Sequence, residues 1–137
     1  MRWAILDTNV YVGHWQYDQF LDELETVRRT FIIRHSAVVL SELRRGARTH
    51  EARHLVAGIF RMASIQWAPT AEDWWKAGDL IRKIGDARGW DSGKRRDFQN
   101  DALIALTARR HGATVVTADG VDFEILANEL GISVLSL

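Results

Sequence analysis

The segment Asn100-Asp101-Ala102-Leu103-Ile104-Ala105-Leu106, followed by Thr117-Ala118-Asp119-Gly120-Val121-Asp122-Phe123, decides how this chain is read. An aspartate opens an apolar run of helical period, and a short β-branched run then delivers two more aspartates at its carboxyl end. Carboxylates are seldom placed on apolar elements unless they are paired or bind a cation. Asp101, Asp119 and Asp122 are therefore read as half of a divalent-metal site whose other half lies near the N-terminus.

Working outward, helical and extended segments alternate. Ala4 to Leu6 is a short buried strand ending at Asp7-Thr8-Asn9, three small polar residues suited to a turn or a helix cap. A helical pattern runs from about Val10 to Arg29, Phe31-Ile32-Ile33 is a second strand, and Ser36 caps a helix through about Arg48. His50 to Met62 is a further helix. Ser64 to Trp67 is a brief strand stopped by Pro69, and Thr70 caps a helix from about Ala71 to Arg88. Gly89 to Arg96 reads as a loop. Asp97 to His111 is the next helix, closed by Gly112 in a left-handed conformation. Ala113 to Thr117 is a strand, Phe123 to Leu130 a helix, and Ile132 to Leu135 a last strand. Strands alternating with helices imply an α/β fold: about five short strands in a mainly parallel sheet, helices on both faces, three layers in all. At 137 residues the chain fits a single domain spanning 1–137.

Composition narrows the chemistry. The absence of cysteine excludes disulfides, zinc–thiolate sites and thiol catalysis, and agrees with a reducing cytoplasmic compartment. No apolar run approaches the roughly 20 residues a membrane span needs. Eighteen basic residues balance eighteen acidic ones, so no global field advertises nucleic acid. Local basic clusters survive the cancellation at Arg44-Arg45 with Arg48, at Lys94-Arg95-Arg96 and at Arg109-Arg110-His111.

In an open parallel sheet, ligands sit outside the carboxyl ends of the strands, near the point where strand order reverses. Asp7 follows the first strand and Asp119 a later one, so both belong to that rim. Antiparallel packing of helix on strand returns Asp101 to it, and Glu42, early in its helix, completes the ring. Each acid alone has an ordinary explanation: Asp7 as a cap, Glu42 as surface, Asp101 as a first-turn acid, Asp119 as a turn residue, Asp122 as the cap of the helix from Phe123. Independent caps have no reason to gather at one rim. An oxygen-only donor set favours Mg²⁺ or Mn²⁺ over zinc or copper, and such an ion activates water for attack on a phosphodiester.

With these residues assembled, the chain resembles the PIN-domain nucleases, and among them the VapC-type toxins of bacterial toxin–antitoxin pairs. The resemblance is carried by Ile5-Leu6-Asp7-Thr8-Asn9, by Val39-Leu40-Ser41-Glu42-Leu43 with Gly46, by Asn100-Asp101-Ala102-Leu103-Ile104-Ala105, and by Val116-Thr117-Ala118-Asp119 with Asp122-Phe123. It covers essentially the whole chain. It implies a PIN fold and endonucleolytic RNA cleavage by a water that Mg²⁺ or Mn²⁺ activates. Asp7, Glu42, Asp101 and Asp119 form the implied acidic set, with Asp7, Asp101 and Asp119 on the metal. In many relatives the Asp119 position is asparagine while the aspartate before phenylalanine remains, so Asp119 and Asp122 share or divide one role. Thr8 and Thr117 are implied supporting hydroxyls, and Asn100 a neighbour behind the acids. A homodimer and a cognate antitoxin are implied partners, the antitoxin peptide lying across the acidic pocket. Tyr11, Trp15, Tyr17 and Phe20 are candidates to line its groove, and one of Trp74 and Trp75 to lie at an interface.

Three other classes compete. An aspartyl-phosphate domain needs a second acid beside the nucleophile and a late lysine, whereas Asn9 follows Asp7 and no lysine occurs after Lys94. A non-catalytic RNA- or protein-binding module of the same fold would be expected to have lost the acids. Histidine acid–base chemistry needs paired histidines, and the five present share no pattern.

Overall fold

The computed structural model describes residues 2–137. In chain order the elements are β1 (Arg2–Leu6), α1 (Thr8–Tyr17), α2 (Leu21–Thr30), β2 (Phe31–Ser36), α3 (Ala37–Gly46), α4 (His50–Met62), β3 (Gln66–Trp67), α5 (Ala71–Arg88), α6 (Ser92–Asp97), α7 (Gln99–His111), β4 (Thr114–Thr117), α8 (Gly120–Leu130) and β5 (Val134–Ser136). The strands form one sheet in the order β3-β2-β1-β4-β5, every pairing parallel. The expected α/β three-layer architecture with five short strands is thus the observed one. From β1 the chain adds β2 and β3 on one side and then crosses to place β4 and β5 on the other. The reversal therefore falls between β1 and β4, whose register pairs Ala4 with Thr114 and Leu6 with Val116.

Side chains alternating along the central strands sort the core into two layers, as a pleat of period two requires. Ile5 and Val115 point into the larger cluster, with Val39 and Leu43 of α3, Ala77 and Ile84 of α5, and the inner face of α7. Ala4, Leu6 and Val116 point the other way, against Leu24 and Val27 of α2 and Val10 of α1. Residues 102–108 of α7 are all buried, because this helix lies between the sheet and its neighbours α5 and α8. A helix enclosed in this way shows no polar face along its middle, as the run from Ala102 to Leu106 shows.

The structure departs from the sequence reading at four places. The single helix expected from Val10 to Arg29 is two, broken at residues 18–20, where Asp18 and Phe20 are left-handed (φ 54° and 67°). The Phe20 ring folds over α1 so closely that a Cβ at Gly13 would stand 2.6 Å from it. Gln19 donates its backbone N–H back to the Gly13 carbonyl at 3.1 Å, and these contacts hold the break. The segment Gly89–Arg96 is not all loop: Asp91 caps the six-residue helix α6 by accepting from the Lys94 N–H at 2.8 Å. The following helix begins at Gln99 rather than Asp97. The helix expected from Phe123 begins at Gly120, so its cap is Asp119 and not Asp122.

Other local expectations hold. Ser36 caps α3, Thr70 caps α5 within a reciprocal capping box with Asp73, and Gly112 closes α7 at φ 64°. Among the described residues, no helix is long and apolar enough to cross a membrane. Neither Trp74 nor Trp75 packs in the core: they are 51% and 82% exposed on α5.

Candidate functional site

At the carboxyl ends of β1 and β4, residues from the starts of α1, α7 and α8 and from the second turn of α3 meet around a cavity of about 320 Å³ lined by Asp7, Thr8, Glu42, Asp101, Asp119 and Asp122, with Asn9, Val12 and Phe123. Each acid arrives by a local rule. Asp7 ends β1 and caps α1, accepting from the Thr8 N–H at 2.8 Å. Glu42 lies in the second turn of α3, and its carboxylate accepts the Thr8 hydroxyl at 2.8 Å. Asp101 sits in the first turn of α7, Asp119 caps α8, and Asp122 follows in the first turn of α8. Helix N-termini carry partial positive charge, so the starts of α1, α7 and α8 help to hold carboxylates that would otherwise repel.

Behind the acids a hydroxyl ties the two central strands together. Thr117, fully buried, donates to Asp7 at 3.0 Å and accepts from the Asp119 N–H at 3.2 Å. Asn9, to which the sequence reading gave no role, accepts from the Ala118 N–H at 3.0 Å and lies 3.4 Å from the Thr117 hydroxyl. It bridges the end of β1 to the end of β4. Its only sequence signal was its place in Asp7-Thr8-Asn9.

The electrostatics are those of crowded, partly desolvated acids. Burial, then the charges of Asp7, Asp122 and Glu42, push the Asp101 carboxyl up to about 8, against a smaller opposing effect of Lys94. Burial likewise raises Asp7 to about 6, opposed by its hydrogen bonds from Thr8 and Thr117 and assisted by Glu42 and Asp119. Among the described residues, Lys94 is the only cation ion-paired with any of the five acids: its ammonium lies 3.0 and 2.9 Å from the two Asp122 carboxylate oxygens. The sequence reading had placed Lys94 only within a basic cluster.

A divalent cation suits this donor set in kind, since it is all oxygen, mostly carboxylate and short of counter-charge. Among the described residues, no three acids are gathered closely enough to form a finished cage. Asp122 in particular is engaged by Lys94.

Some expected residues do not reach the site. Asn100 does not line the cavity and makes no side-chain hydrogen bond to the acids. Tyr11 and Trp15 pack with tilted rings 5.5 Å apart against the core, Phe20 covers Gly13, and Tyr17 alone is exposed, so these four aromatics do not build one groove. An apolar cleft of about 670 Å³ lies instead between α3 and α4, lined by Leu40, Val56 and Phe60 with Arg44, Arg53 and Arg61. A further cleft, of about 740 Å³, lies beside Trp74 and Trp75 and contains no cluster of acids. None of the five histidines lines the acidic cavity. Two arginines of the basic clusters serve the fold, Arg95 pairing with Asp86 and Arg110 with Asp73.

The chain matches the PIN domain family over residues 4–128. No curated protein matches it significantly in sequence. Among solved structures it is similar to VapBC2 from Rickettsia felis bound to a DNA fragment from their promoter, with 25% identity and a TM-score of 0.71 over 98% of both chains. It shares the fold of VapBC-1 from nontypeable Haemophilus influenzae, at 16% identity and TM-score 0.70 over 98% of this chain and 97% of that one. The same holds for VapBC-5 from Mycobacterium tuberculosis, a member of the VapBC family of toxin–antitoxin systems, at 19% identity and TM-score 0.62 over the whole of both chains. With a family match running from the first strand into the last helix, the chain belongs to the PIN-domain family.

Proposed function

We propose that this protein is a divalent-metal-dependent endoribonuclease, the toxin of a toxin–antitoxin pair, acting on cytoplasmic RNA. The observation that carries the reading is the convergence of Asp7, Glu42, Asp101, Asp119 and Asp122 on one cavity at the β1/β4 reversal. Stability alone gives no reason to assemble acids whose burial and mutual repulsion raise Asp7 to about 6 and Asp101 to about 8. Membership of the PIN-domain family supports a nuclease, and the likeness to VapBC complexes supports the toxin assignment.

In this reading Asp7, Asp101 and Asp119 hold Mg²⁺ or Mn²⁺, and Glu42 and Asp122 stand beside them. When bound, such an ion supplies Lewis acidity to a water molecule and to the phosphate oxygens. The chain's own residues do the rest. Thr117 and the Thr8 N–H fix the Asp7 carboxylate through its two oxygens, and the Thr8 hydroxyl orients Glu42. Glu42, at the cavity wall and without a basic partner among the described residues, would accept a proton from the attacking water in this reading. The two carboxyl groups with raised values bind a cation at the expense of their protons, so metal uptake releases protons.

The α3–α4 cleft supports an antitoxin peptide as partner, with an apolar floor and an arginine rim fit for an amphipathic acidic segment. The exposed Trp74 and Trp75 beside the 740 Å³ cleft support a homodimer. A purified sample should cut RNA with Mg²⁺ or Mn²⁺, lose cutting in EDTA, and lose it in Asp101→Asn with the fold retained. Cutting that survives EDTA would sink the metal mechanism.

A further inference from the structure

We infer that Lys94 takes the place of a second metal ion in the acidic cavity, limiting the site to one divalent cation and reserving Asp122 from coordination. The inference rests on the metal-dependent reading above and deepens it by assigning Lys94 as a positioning residue.

Three observations carry it. First, Lys94 grips Asp122 through both carboxylate oxygens, at 3.0 and 2.9 Å, so neither oxygen faces the other acids unopposed. A compact ammonium between carboxylates is the monovalent analogue of a hard cation there. Second, this lysine is braced at both ends of its side chain, which is 38% exposed. Its backbone is pinned by the Asp91 cap of α6, and its ammonium sits 5.1 Å from the Trp90 ring centre and 5.7 Å from that of Phe98. Those rings pack edge to face at 4.8 Å, and Phe98 is fully buried, so the shelf beneath the ammonium belongs to the core. Third, among the described residues the remaining acids are left without ion pairs, and no three acids form a finished cage. The positive charge is thus on the Asp122 side of the cavity. The unfilled demand for charge is on the side of Asp7, Asp101 and Asp119.

Mn²⁺ binding to the whole protein, counted by titration calorimetry and checked by the electron paramagnetic resonance of free Mn²⁺, tests this without reference to activity. Wild type should take up one Mn²⁺ per chain, Lys94→Met two, and Lys94→Arg one, because the guanidinium restores the charge. Adding Asp122→Asn to Lys94→Met should return the count to one. Circular dichroism establishes that each variant is folded, and Lys94→Gln replaces Lys94→Met if the latter does not fold. Two ions in wild type, or the same count and affinity in wild type and in the folded Lys94→Met or Lys94→Gln protein, would overturn the inference while leaving the metal-dependent reading intact. No Mn²⁺ uptake by wild type would overturn that reading, and this inference with it.

Discussion

The buried Thr117 hydroxyl, 3.0 Å from the Asp7 carboxylate, joins the last residue of β4 to the residue that follows β1. The bond crosses the point where strand order reverses, and it restrains an acid that burial would otherwise leave protonated near neutrality. Thr117→Val keeps the shape and removes the donor. It should cost about 1–3 kcal/mol in denaturant unfolding, the penalty of an unpaired buried polar group. It should also weaken Mn²⁺ binding by roughly 10- to 100-fold, as loss of a group that orients a ligand does. A stability loss with unchanged Mn²⁺ affinity would mean that the hydroxyl serves the fold alone.

At the end of α7 opposite Asp101 the polar chemistry is structural. Asp73 accepts from the Thr70 N–H at 3.0 Å within the capping box of α5 and pairs with Arg110 in the last turn of α7. Arg110 stands nine residues beyond Asp101, roughly 13 Å along the helix axis. Asp73→Ala should therefore destabilise the fold by about 1–3 kcal/mol through loss of the cap and the pair. RNA cutting should stay within about twofold of wild type at temperatures where both are folded. A large loss of cutting at full folding would show that the two ends of α7 are coupled.

The sheet and the acids could be read from the sequence for one reason: both follow from periodicity. Short β-branched runs ending in small polar residues locate the strands and their carboxyl ends, and in a parallel sheet those ends share a rim. This places Asp7 and Asp119 together before any coordinates are known. What could not be read depends on contacts between distant residues. The break at residues 18–20 uses left-handed Asp18 and Phe20, with no glycine or proline to announce it, and is held by the Phe20 ring over Gly13. Helix α6 hides just after Gly89, with Gly93 inside it, because it is only six residues long. Lys94 resembles its neighbours Arg95 and Arg96 in sequence, yet it alone reaches Asp122, 28 residues away. Asn100 was drawn toward the site by its adjacency to Asp101, but consecutive residues on a helix point about 100° apart.

Metal-free protein should lose stability as pH rises. An aspartate whose value is raised on folding keeps its proton in the folded state where the unfolded chain has already lost it. Its contribution is complete below the ordinary value of 3.8 and is lost as pH climbs to the folded value, about 6 for Asp7 and about 8 for Asp101. In EDTA the thermal midpoint should fall between pH 5 and pH 8. Excess Mg²⁺ should raise it more at pH 8 than at pH 5, because the ion replaces the lost protons. A midpoint equally responsive to Mg²⁺ at both values would show that the cavity acids are not the binding groups.

Asp101→Asn separates the demands of folding from those of chemistry at one atom. The amide is nearly isosteric with the carboxyl but carries no charge, so it removes the repulsion with Asp7, Asp122 and Glu42 that helps to raise Asp101. His35 and His111 have depressed values through burial and neighbouring arginines, and they contribute stability that is lost as pH falls, which tilts the whole profile the other way. The difference between variant and wild type cancels these histidines and isolates Asp101. In EDTA that difference should be small near pH 4 and grow in favour of the variant up to pH 8, on the order of a few kcal/mol in denaturant unfolding. With Mg²⁺ the order should narrow or reverse, because wild type alone gains the full binding energy. RNA cutting by the variant should fall by at least about 100-fold. A residue retained only for the fold would be improved by this change without penalty, whereas a metal-binding acid should be stabilised and silenced together. An Asp101→Asn protein that is no more stable at pH 8 in EDTA, or that still cuts, would break that link between burial, charge and function.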